Sequence, residues 1–313
     1  MLHLPGPSAM AKVLARPLPY SSRPMPLRDT TADPGVFGPD SVTWMVMREP
    51  LLILGAGRAL LMQAANPLVA QGAIDHSSFS TDPYGRFERT VEWVTLVSFG
   101  TTAEARRATR TVNSLHRHVV GKLPAGHETS RTSAGSEYSG MDPLLLQWVH
   151  ATFVDTMLVT HNALVGSLDA ATRDAFVREW NAVAALMGVP RRLRFRDAAH
   201  LGAYVEAEID SGEALPGAGS RLVADTVLHP PVTSPLLRPS MDVLAFVATG
   251  LLPARVRRAY GLTWTPAHGA AHAAMRTWLR TIAPVLPSRL RISPVYDRAL
   301  ARSRGRLRTT RAA

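Results

Sequence analysis

The run from Leu144 to Gly166 limits the fold more than any other stretch, because its 23 residues contain a single acid, Asp155, and no lysine or arginine. It opens on Asp142-Pro143, a strong helix start. An aspartate side chain can accept from the free N–H groups of a first turn, and proline lacks the N–H that the first turn leaves unpaired. The run is long enough to cross a bilayer, but His150, Asp155 and His161 interrupt its apolar surface. A helix buried in a protein core is the better reading, and such a helix needs others wrapped around it.

The rest of the chain supplies them. Ser41 can cap a short helix through Met47, ended by Glu49-Pro50, and Ala59 to Ala70 is in helix-favouring residues. Helices are expected from Arg86 to Phe99 and, after a Gly-Thr break, from Ala103 to Val120. Another is capped by Asp169 and stopped after Met187 by Gly188-Val189-Pro190, followed by one over Phe195 to Glu208. Later helices cover Met241 to Thr249, Pro253 to Tyr260, Pro266 to Ile282 and Pro294 to Arg304. Period-2 alternation is almost absent and no internal repeat appears. The implied architecture is mostly α, a single-domain multi-helix bundle over residues 35–302. A Pro-rich leader (1–34), expected to be disordered, precedes it and a basic tail (303–313) follows. Asp75 to Gly85, Lys122 to Gly140 and Asp210 to Gly219 read as loops, the second as a candidate lid, and His229 to Pro239 as a Pro-broken stretch.

Composition removes whole classes of chemistry. There is no cysteine, which excludes disulfides, Cys-type zinc sites, iron-sulfur clusters and thiolate-ligated haem. The net charge is +11, yet Arg289 to Arg311 carries eight arginines against one acid, Asp297, and accounts for most of the excess. No nucleic-acid partner is therefore expected, while contact with an acidic partner or peripheral contact with a membrane stays open. The first thirty residues have six prolines and no apolar core of signal-peptide length, so the expected location is cytoplasmic.

Leu51 to Leu54 followed by Gly55-Ala56-Gly57 and a helix imitates a dinucleotide-binding turn. Leu60 stands at the third glycine position and Asn66-Pro67 interrupts the helix, so the glycines are better explained by close packing at a helix start. Glu-x-x-His, H-E-x-x-H, G-x-S-x-G and the P-loop are all missing. What remains is a small constellation. Arg86 and Thr90 lie one helical turn apart on one face, and His116 falls on the apolar side of the next helix, near Val112 and Leu115. His118 points about 200° away from His116 on that helix, so one of the two can face a shared pocket. Asp75 and His76 sit in the preceding loop, and His150 and Asp155 on the long apolar helix. Imidazoles of this kind serve haem iron or a mononuclear metal held, for instance, by His76, His116 and His150.

Five ordered stretches go beyond composition: GVFGPDSVTWMVMREP (Gly35 to Pro50), GAGRALLMQAANPLVAQGAIDHSSFSTDPYGRFERT (Gly55 to Thr90), LHRHVVG (Leu115 to Gly121), MDPLLLQWVHATFVDT (Met141 to Thr156) and GLLPARVRRAYGLTW (Gly250 to Trp264). In them the chain resembles the haem-dependent oxygenases that include the latex clearing proteins (rubber oxygenases) and the MpaB-type oxygenase of mycophenolic acid biosynthesis. The resemblance implies a helical domain enclosing haem b, with His116 as axial ligand and metal-binding residue, and Arg86 and Thr90 as the arginine/threonine pair beside it. It also implies a pocket lined or braced by His150 and Asp155, with His76 as an outer supporting group. Arg86 is then a partner for a propionate, its alternative being an ion pair with Asp82 or Glu88. Thr90 is a hydrogen-bonding group, its alternative a bond back to its own helix. The implied function is a haem b-dependent oxidoreductase or oxygenase using dioxygen on a small hydrophobic substrate. A non-catalytic haem-binding or sensing protein and a mononuclear non-haem metal enzyme are the alternatives. Relatives usually carry His-Pro where this chain has Asn66-Pro67.

Overall fold

The computed structural model describes residues 32–77, 82–231, 238–287 and 291–305. Nearly all of the leader, most of the basic tail and parts of the loops at 75–85 and 229–239 lie outside the described residues. The chain runs through α1 (Val42–Met47), a 3-10 turn (Pro50–Gly55), α2 (Ala56–Ala65), α3 (Pro67–His76), α4 (Pro83–Phe99) and α5 (Thr102–His116). A hairpin of β1 (Val120–Lys122) and β2 (Glu137–Ser139) comes next. It is followed by α6 (Pro143–Leu164), α7 (Ala170–Met187), α8 (Ala198–Ser211), α9 (Ala218–Leu228), α10 (Arg238–Leu251), α11 (Ala254–Ala259), α12 (Pro266–Ile282) and α13 (Pro294–Ser303).

The long apolar run is α6, and it is the central helix. Asp142 caps it by accepting from the N–H of Leu144 at 2.7 Å, with Pro143 in the first turn. It packs against the 3-10 turn, α2, α7, α8 and α12. Leu146, Trp148, Ala151, Val154 and Met157 enter the main core with Leu61, Phe176, Trp180 and Phe195. Leu164 joins a second cluster with Phe246, Leu251, Met275 and Leu279. No single helix among the described residues is long and apolar enough to cross a membrane. The 3-10 turn with α2, taken together with α3, passes that test as a pair bent by 105°, but Leu61, Met62, Ala65 and Ala70 of the pair are buried.

The glycines of the dinucleotide-like turn are packing glycines. A side chain at Gly55 would collide with Thr160 of α6, and a Cβ at Gly57 would come within 2.8 Å of Ala248 on α10. The C-terminal helices pack back on the earlier ones: Tyr260 donates to the carbonyl of Leu61 at 2.6 Å, and Arg302 of α13 donates to that of Phe99 at 2.7 Å. Part of the C-terminal arginine excess is thus core structure, since Arg302 is fully buried.

The interruption expected at Asn66-Pro67 is present: Asn66 accepts from the N–H groups of Leu68 and Val69 and starts α3 afresh. Two local expectations are corrected. Asp75 and His76 are helical, as the last turn of α3. The second site helix ends at His116, and residues 120–122 pair with 137–139 in an antiparallel ladder. The segment expected as a lid is tied down. Leu123 is buried and exchanges backbone bonds with Ser136 and Gly135, His127 meets Gln71 at 2.7 Å, and Arg131 donates to Ser211 of α8 at 2.7 Å.

Candidate functional site around Arg86 and His116

α4 and α5 form an antiparallel pair hinged at Gly100-Thr101. The turn is fixed by a capping box: the Thr101 hydroxyl accepts from the Glu104 N–H at 3.1 Å, and the Glu104 carboxylate accepts from the Thr101 N–H at 2.9 Å. Midway along the pair, Trp93 donates through Nε1 to the Thr109 hydroxyl at 3.2 Å. Arg86 and His116 each lie about four helical turns from the bend, so the two helices bring them to one level.

At that level the charge of Arg86 is felt at His116. Burial lowers the pKa of His116, and the positive charge of Arg86 lowers it further. Both causes favour the neutral imidazole, which keeps a nitrogen lone pair available. The pKa of Arg86 is itself lowered by burial and by Arg89, though a guanidinium stays charged at any ordinary pH. Neither acid expected beside Arg86 pairs with it. Asp82 is occupied in capping α4, accepting from Gly85 N–H at 2.9 Å and from Arg89 at 3.3 Å, and no ion pair joins Arg86 to Glu88 among the described residues. Among the described residues, a half-buried cation without a carboxylate therefore stands near a half-buried imidazole.

The surroundings of this pair differ from expectation. His116 is the last residue of α5, and its neighbour Leu115 is 64% exposed, so this end of the helix is a rim and not the core. Thr90 is exposed and its hydroxyl donates to the Arg86 carbonyl at 3.0 Å, the bond back to its own helix. His118 is exposed and bonded to the Ser114 carbonyl, turned away from His116. A shallow groove lined by Val120, Lys122, Glu137 and Tyr138 lies on the hairpin, and neither Arg86 nor His116 borders it.

The remaining candidates lie apart from this pair. His150 is buried on α6, its Nε2 donates to the Trp180 carbonyl at 3.0 Å, and its ring stacks on Phe195 at 6.2 Å. Burial is the main cause that takes its pKa down to about 4. Asp155 is held by Arg58 at 2.6 Å; that guanidinium is fully buried and also donates to Thr156 and to the Leu251 carbonyl. His76 meets the Val120 carbonyl at 2.9 Å. Among the described residues no three histidines or acids come close enough to share a metal ion, so the non-haem site of His76, His116 and His150 does not assemble. Arg58, Gln71, His127 and Tyr138 went unnoticed in the sequence. Their roles depend on partners tens of residues away and leave no local pattern.

Proteins of Mycobacterium bovis and Mycobacterium tuberculosis, both described as uncharacterized, are each 25% identical to this chain over 236 residues. The alignment covers 74% of this chain and 88% of each relative. No solved structure matches. The family model described as ER-bound oxygenase mpaB/B'/rubber oxygenase, catalytic domain, matches residues 43–281, and the chain belongs to that family.

Proposed function

We propose that the protein is a haem b-dependent oxygenase that uses dioxygen on a small hydrophobic molecule. The observation carrying this reading is the Arg86–His116 pair: an arginine with no carboxylate partner among the described residues, next to an imidazole whose pKa is lowered toward the neutral, lone-pair-bearing form. Those are the two donor types that haem b requires of a protein, a neutral nitrogen ligand and a cation for an anionic propionate. Exposed Leu115 and Val120, on either side of His116 in the chain, add apolar surface for a flat hydrophobic group to cover.

In this reading His116 would hold the haem iron through its imidazole nitrogen, and Arg86 would anchor a propionate through the planar fork of its guanidinium. Thr90 keeps its hydroxyl oxygen free to accept a hydrogen bond while its proton is spent on the Arg86 carbonyl. Haem b, when bound, supplies the activation of dioxygen. The chain would contribute the ligand, the anchoring cation and the apolar surface of Leu115 and Val120. His150 and Asp155 act at a distance: each fixes α6 to another element, through Trp180 and Arg58 respectively, and so holds the helix frame behind the site. The unit doing this work is residues 35–302. A cytoplasmic location with at most peripheral membrane contact and no nucleic-acid partner completes the reading.

The test is His116→Ala in the full chain, reconstituted with hemin. Loss of stoichiometric haem with unchanged far-ultraviolet circular dichroism is expected. Haem retained at wild-type occupancy would refute the assignment.

A further inference from the structure

A chain of hydrogen bonds outside the Arg86–His116 pair ends on Tyr138, in the strand paired with the segment that follows His116. Asp75, in the last turn of α3, accepts on both carboxylate oxygens: from Gln71 Nε2 at 2.8 Å and from the Tyr138 hydroxyl at 2.5 Å. Gln71 presents its amide oxygen to His127 Nδ1 at 2.7 Å. Every donor in the series points toward the Asp75 carboxylate: His127 to Gln71, Gln71 to Asp75, and Tyr138 to Asp75. Such a one-way chain strengthens each bond and leaves the carboxylate no freedom to turn. Tyr138 is buried on β2, and its phenol pKa is raised, first by burial and then by Asp75, so it stays a donor at every physiological pH.

Tyr138 is opposite Gly121 in the β1–β2 ladder, and its ring occupies the space a side chain at Gly121 would need. The ring also lies edge-on to His76, whose Nε2 meets the carbonyl of Val120 at 2.9 Å. Gly140, just past β2, donates to the Val119 carbonyl at 2.7 Å, and a Cβ there would come within 2.8 Å of the His116 carbonyl. The backbone from His116 to Gly121 is therefore enclosed by the hairpin on one side and by α3 on the other. Two side-chain bonds join α3 to the hairpin, Tyr138–Asp75 on β2 and His76 to the Val120 carbonyl on β1, and the first is the one made between two side chains.

We propose that Asp75 and Tyr138 are positioning residues for His116: their bond locks the hairpin onto α3 and thereby fixes the direction of the His116 ring. Neither touches the ring, and both act through the backbone of residues 116–121. This rests on His116 being the haem ligand, and the two ideas fail separately under the following test.

The full chain, Tyr138→Phe and Asp75→Asn are titrated with hemin, and the ferric complexes are compared by electron paramagnetic resonance. The phenylalanine variant keeps the ring and removes only the hydroxyl; the asparagine variant keeps the shape and removes the charge that accepts two donors. Both are expected to bind haem at least tenfold more weakly and to give a spread of ligand-field values in place of one, with unchanged far-ultraviolet circular dichroism. Affinity and spectra equal to those of the unmodified chain would overturn the proposal. If the unmodified chain takes up no haem, the ligand reading fails and the clamp is judged on haem-free protein carrying 15N-labelled histidine. One sharp set of His116 ring resonances that doubles or broadens in both variants would support the clamp. Identical resonances in all three proteins would overturn it.

Discussion

At the scale of single residues, the same side-chain type does different work according to what it meets. His116 and His150 are both helical histidines with lowered pKa values. A cation acts on each, Arg86 on His116 and Arg194 on His150, but His116 stands at a rim whereas His150 is fully buried and spends its Nε2 proton on Trp180. Helical spacing alone identified both without separating them, since a buried carbonyl partner thirty residues away is invisible to it; the resemblance is what assigned His116 as ligand and His150 as a pocket residue. The folded-state pKa of His150, about 4, is below its ordinary value of 6.5, as is that of His272, also about 4. In that interval the unfolded chain binds protons that the folded chain refuses. Stability is therefore complete above about pH 6.5 and is lost as the pH falls toward 4, by on the order of 3 kcal/mol for His150 alone. Thermal unfolding between pH 7 and 4.5 should show this slope, and His150→Asn, which keeps a donor but cannot titrate, should flatten it. An equal slope in that variant would remove His150 from the explanation.

At the scale of elements, helix punctuation was the most legible part of the sequence. Asp142-Pro143, Asp169 with Gly188, and Pro266 mark helix ends the structure reproduces, because a cap is a local contact between a side chain and the next few N–H groups. The short hairpin was missed. Three residues per strand are too few to show alternation, and its stability comes from α3 and not from its own pattern. Asn66 illustrates how local chemistry and family pattern can diverge. Where relatives carry His-Pro, Asn66 caps α3 through two backbone N–H groups, and α3 holds Asp75 and His76. Asn66→Ala is expected to cost about 1 kcal/mol in urea-denaturation stability. A change within error would show that Pro67 alone starts the helix.

For the whole molecule, the governing fact is one apolar helix with others around it, and that was readable because the run from Leu144 to Gly166 leaves few alternatives. What could not be read is how the surrounding helices are joined. The Arg58–Asp155 pair links α2 to α6, and Arg58 continues to the end of α10, contacts spanning 97 and 193 residues of sequence. Asp155→Ala would leave Arg58 charged and unpaired in the interior, which typically costs about 3–5 kcal/mol. Equilibrium unfolding in urea should show a loss of that size with the site residues untouched. A loss below about 1 kcal/mol would mean that the pair contributes little to joining these helices. The site itself was half legible. The four-residue spacing and the histidine that follows selected Arg86 and His116, but the hairpin and α3 around His116 appear only in three dimensions.

This helical frame is proposed to hold haem b through His116. A pyridine haemochrome assay on the full chain, purified after expression with ample haem supply, tests it most directly. One haem b per chain is the expected result, and protein that remains colourless and gives no haemochrome bands would contradict it.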